Sequence, residues 1–88
     1  MKIITSKHNS LIKQISLLQE KSRERRKSRL FLIEGKREIS LAIKGGYELD
    51  TILFYPDLFT TEQVNNLTTQ QINIIEISKE VYQKIAYR

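Results

Sequence analysis

The sequence predicts an α/β domain: a three-layer α/β/α sandwich around a small parallel sheet of three strands, with a fourth strand expected outside the chain. Three observations carry this. Short apolar runs of strand length alternate with segments of helical spacing. Capping residues and a Gly-Gly pair punctuate the boundaries between them. The 88 residues, 40% of them hydrophobic, suffice for one modest core, so residues 1–88 read as a single domain.

Asn9 caps a first helix, whose Leu11, Ile12, Ile15 and Leu18 follow the spacing of one buried stripe. Residues 21–29 contain no apolar side chain and either extend that helix as a solvated turn or form an irregular connection. Both options expose them. Residues 30–33, Leu-Phe-Leu-Ile, form a continuous apolar run that suits a strand covered on both faces. Ile39, Ala42 and Ile43 define a second helix over residues 36–44, stopped by Gly45-Gly46. Residues 49–55 read as a second strand, halted by Pro56.

Thr60 with Gln63 spells a capping box, and Phe59 with Val64 a hydrophobic staple, for a short helix over residues 61–67. Residues 72–77 give a third strand, and Ser78 caps a last helix carrying Val81, Tyr82 and Ile85. The expected order is α-β-α-β-α-β-α, with right-handed crossovers. The chain reaches Tyr87-Arg88 within or just after a helix and without a stop signal, the pattern expected of a piece excised from a longer polypeptide.

Composition excludes several classes. Without cysteine there is neither a disulfide framework nor a thiolate metal site, and the single histidine, His8, has no patterned partner. No apolar run approaches the ~20 residues that span a bilayer, and the N-terminus lacks the apolar core of a signal peptide. A cytoplasmic protein with no membrane partner is expected. Glu34 and Glu38, four apart, are better explained as surface carboxylates near Lys36 and Arg37 than as an acid–base pair, so no catalytic residue is expected.

The charge is placed rather than spread. Residues 1–44 hold twelve basic and four acidic side chains, whereas residues 45–88 hold three and six. Six of the basic residues, Lys21, Arg23, Arg25, Arg26, Lys27 and Arg29, fall within one run of nine. Such a run neutralises phosphates and releases counterions, giving affinity that falls steeply with salt and reads little sequence. The competing reading is a solvated helix with internal Glu20–Lys and Glu24–Arg pairs. Lys36 and Arg37 follow Glu34-Gly35 at a strand-to-helix junction, where free N–H groups favour an anion. Lys7, Asn9 and Lys13 are further candidates, although Asn9 is also explained as a cap. The tyrosines show no closely spaced stacking pattern, and Phe31 and Phe54 are expected in the core.

The motifs of residues 4–46 carry a resemblance. Ser6, Asn9 and Lys13 match a Ser-x-x-Asn-x-x-x-Lys opening; Leu17, Lys21 and Arg23 match Leu-x-x-x-Lys-x-Arg; and Phe31, Glu34 and Gly35 match Phe-x-x-Glu-Gly before a helix ending in glycine. This segment resembles the N-terminal substrate-binding domain of SpoU-type (TrmH-like) RNA 2′-O-ribose methyltransferases, and residues 47–88 agree in architecture only. The resemblance implies a fold of the ribosomal-protein type shared with kink-turn RNA binders, usually with a mixed four-stranded sheet, so that a small parallel or mixed sheet of three to four strands is expected. It also implies an RNA partner, ribosomal or transfer, and a C-terminal catalytic domain in cis that binds S-adenosylmethionine, within a homodimeric parent enzyme. The fragment itself is expected to hold no cofactor and to be inactive alone. A self-standing RNA-binding module, or a protein-docking domain using Tyr82, Ile85 and Tyr87, are the alternatives.

Overall fold

A computed structural model describes residues 2–67 and 72–86. The elements are β1 (Lys2–Ile4), α1 (Ser10–Glu20), α2 (Ser22–Ser28), α3 (Lys36–Lys44), β2 (Thr51–Phe54), α4 (Thr61–Asn65), β3 (Asn73–Ile77) and α5 (Lys79–Ala86). β3 lies centrally in a three-stranded sheet of order β1-β3-β2, and both pairings are parallel. The α/β class and the small parallel sheet are as the sequence predicts.

Caps set most boundaries. The Asn9 side chain accepts from the Leu11 N–H at 2.8 Å and starts α1. Thr60 and Gln63 form the reciprocal capping box of α4. Val64 is buried and Phe59 half-buried in the same cluster, as a staple requires. Ser78 Oγ accepts from the Val81 N–H at 3.3 Å to open α5. At the end of α3, the Tyr47 N–H reaches Ala42 O and the Gly46 N–H reaches Ile43 O, the paired bonds of a Schellman motif. Gly46 sits at φ +88°, a conformation side-chain-bearing residues rarely adopt.

Two apolar clusters form the core, one on each sheet face. Ile4, Ile75 and Ile77 pack with Ile12 and Ile15 of α1 and Val81 of α5. Ile52 and Phe54 pack with Val64 of α4 on the other face, as the alternation of side chains along β2 requires. α3 contributes no buried residue.

Residues 30–33 correct the predicted strand order. They carry no strand, and Phe31 and Leu32 are exposed. The third strand is instead β1, at the N-terminus, where the sequence predicts no element. An apolar run reports a tendency to leave water, not a ladder partner. Here β1 and β2 occupy both edges of β3, and residues 30–33 line an open cleft alongside β2.

Candidate nucleic-acid interface

The basic run folds as a helix of its own. Lys21 breaks the path at φ −117° and ψ 109°, so α2 leaves α1 at an angle rather than extending it. The last carbonyls of α1 need donors. The Lys21 N–H reaches Leu17 O at 2.8 Å, and Arg25 Nη1 donates to Leu18 O at 2.6 Å and to Gln19 O at 3.2 Å. Arg25 is thus turned inward as a clasp across the corner.

With Arg25 on the inner side, Arg23, Arg26 and Lys27 share the opposite face by their i, i+3, i+4 spacing. All three are exposed. Arg26 Nη1 donates to Ser22 Oγ at 3.4 Å. Among the described residues, Glu20 and Glu24 form no ion pair with this helix, so the internally paired alternative is absent. Arg29 ends α2 in the left-handed region at φ 61°, its N–H bonded to Arg25 O at 2.8 Å.

The remaining candidates do not all gather there. Lys7 and Asn9 lie at the opposite end of the 11-residue α1, about 16 Å away at 1.5 Å per residue. Lys7 pairs with Glu80 at 4.0 Å, and Asn9 is occupied as a cap. Lys13 is exposed on the first turns of α1, and Lys36 and Arg37 are exposed on the first turn of α3. The N-cap of α3, Gly35, has φ +100° and offers no side-chain cap.

An open cleft of about 550 Å³ is lined by residues 29–36 and 47–55 together with side chains of α1 and α5, among them Leu18 and Ile85. Phe31 and Tyr47 meet at it in a T-shaped contact, ring centroids 5.3 Å apart at 78°, and they are 51% and 57% exposed. The expectation of Phe31 as core is therefore overturned, and the pair escapes sequence reasoning because its members come from opposite ends of α3. Phe54, by contrast, is core at 4% exposure. Tyr82 and Ile85 are half-buried against the first cluster, Tyr82 stacked on Tyr55 at 5.6 Å. Tyr87 lies outside the described residues. His8 is exposed, and no group of metal-ligating side chains occurs among the described residues.

Fold and surface together define a small α/β domain with a cationic helical face beside an apolar cleft. The chain belongs to the MRM3-like substrate binding domain family, whose model matches residues 9–88. It is a substrate-binding domain of the RNA methyltransferase kind. The match extends through residues 47–88, where the sequence motifs are thin. No curated protein and no solved structure matches the chain.

Proposed function

We propose that this domain holds RNA, ribosomal or transfer, for 2′-O-ribose methylation by a SpoU-type catalytic domain carried in cis, in a homodimeric cytoplasmic enzyme. The observation that carries the reading is the outward face of α2. Arg23, Arg26 and Lys27 stand exposed and, among the described residues, without acidic partners, on a helix whose orientation Arg25 holds. A cationic face left unpaired keeps its charge available for phosphate. Arg29 adds to the argument, because the chain bears a long cation at a left-handed position where glycine is less strained. Lys36 and Arg37, exposed on a helix start without a side-chain cap, and Lys13, exposed on α1, are further phosphate contacts in this reading.

The role is positional. S-adenosylmethionine enters only as the methyl donor of the catalytic domain, and this chain's part is to bring a ribose within its reach. Phosphate contacts fix register and orientation without reading bases, which suits a domain whose partner does the chemistry.

The test is the affinity of the chain for a structured ribosomal RNA fragment across a salt series, by fluorescence anisotropy. Replacing Arg23, Arg26 and Lys27 together with Ser is expected to flatten the dependence of log K on log salt by about two units, roughly 0.7 for each phosphate that is no longer neutralised. The thermal midpoint should stay nearly unchanged, since α2 buries nothing. An unaltered slope would refute the cationic face as the RNA contact.

A further inference from the structure

The outer edge of β2 is unused. β2 is bonded to β3 on one side, and among the described residues no backbone bond outside that ladder reaches residues 51–54. Such an edge is a template for another strand. The open cleft lies along it and is lined from both faces of the sheet, by Ile15, Tyr82 and Ile85 on one and by Phe59 and Leu67 on the other. A strand placed there is covered on both faces, a position that asks for a continuous apolar run rather than an alternating one.

The chain holds such a run at the same cleft. Leu30, Phe31, Leu32 and Ile33 all line it, and Phe31 and Leu32 are 51% and 36% exposed. Among the described residues, residues 31–33 make no backbone hydrogen bond. Two strips of backbone with unspent donors and acceptors thus border one cleft, and each supplies what the other lacks. α3 is also short of cover: Ile39, Ala42 and Ile43 form an apolar stripe on it, yet the helix buries no residue. Residues 34–50, which contain α3, are long enough for the crossover that joins two parallel strands. The run is bounded by Arg29 at φ 61° and Gly35 at φ 100°, so both bends lie outside it and outside the helices.

We propose that residues 30–33 are a strap that closes on the outer edge of β2 as a fourth strand, parallel to it, filling the cleft and covering the stripe of α3. The tether decides the occupant. A short connection holds the run at an effective concentration on the order of millimolar, well above that of a second copy in a roughly micromolar solution. Closure also fixes the far end of α2. Arg25 clasps α2 to α1, and the strap follows directly on Arg29, so the cationic face is then held at both ends. The strap stands apart from the RNA-binding reading; only this use of it rests there.

The experiment is amide hydrogen exchange with cross-strand NOE measurement, by NMR, on the free 88-residue chain without RNA. Exchange at residues 31–33 is expected to be slowed about tenfold or more relative to an unstructured chain, with NOEs joining them to residues 51–54. Phe31→Pro and Leu32→Pro are made separately, because each removes one donor and successive N–H groups of a strand point to opposite sides. The one whose donor faces β2 should abolish the protection of the strap and of the β2 amides that point away from β3. Amides between β2 and β3 should keep theirs, which shows the fold intact, and the backbone order parameters of residues 22–28 should fall in the same variant. Open-chain exchange at residues 31–33 with no NOE to β2 would overturn the strap, as would protection that survives both substitutions. Protection that appears only as a dimer forms with rising concentration would overturn it too, since the run would then pair with a second copy. Unchanged order in α2 would overturn its anchoring by the strap.

Discussion

Arg25 shows how residues of one type within one run divide their tasks. Six cations within nine residues look equivalent as letters, yet among the described residues only the Arg25 side chain donates to carbonyls of the preceding helix. Hydrogen bonds from a charged donor contribute more than neutral ones, and these are only partly shielded from water, so about 1 kcal/mol is at stake. Arg25→Ala is therefore expected to lower Tm by several degrees, since ~1 kcal/mol shifts a domain of this size by about 4–8 °C. Arg23→Ala, on the open face, should leave Tm in place and reduce RNA affinity. Calorimetry of the two variants side by side checks the distinction. Equal melting points would mean that the clasp contributes nothing to the corner.

At the level of elements, legibility in the sequence depends on whether the determining interaction is local. The helix over 36–44 is readable to the residue, because its stop is written in Gly45-Gly46. The start of α4 is equally legible through Thr60 and Gln63, although the helix ends at Asn65, two residues short of the expected 61–67. Thr60→Ala should destabilise the domain by about 1 kcal/mol, the usual loss for such a cap, measurable as a shift in denaturant midpoint with unchanged slope. The elements that escape are those whose state is decided at a distance. Residues 30–33 have the composition of a strand but no ladder neighbour, and β1, three residues long, is a strand only because β3 lies beside it. Composition marks the end of the apolar stripe at Leu18 but not the break at Lys21, because a wholly polar run suits a straight helical extension as well as a corner. The candidate site divides in the same way: its charge is visible as a run, whereas the inward turn of Arg25 and the meeting of Phe31 with Tyr47 arise only when separated segments are brought together.

On the scale of the whole molecule, the parts that hold it together and the parts proposed to act are separate. The buried residues lie on the strands and on α1, α4 and α5, while α2 and α3 bury none. Apart from the Arg25 clasp, surface chemistry on α2 and α3 is therefore free to change with little penalty in stability. The sheet is less forgiving. β1 and β2 each pair with β3 and not with one another, and β3 comes last of the three in the chain. A chain ending before Asn73 is expected to lack a cooperative thermal transition and to show weak helical circular dichroism, because short helices without tertiary support are marginal in water. A sharp transition in that truncated chain would show that the helices alone suffice.

The strand order also gives the molecule a direction in time. As the polypeptide emerges from a ribosome, β1 finds no ladder neighbour until residues 73–77 have left the exit tunnel. Closing so long a loop is slow relative to local structure formation. Until then the cationic segment is out in the open before the sheet exists to orient it, beside the ribosomal RNA itself. The arrival of the central strand is thus the event that converts a loosely charged nascent chain into a shaped surface.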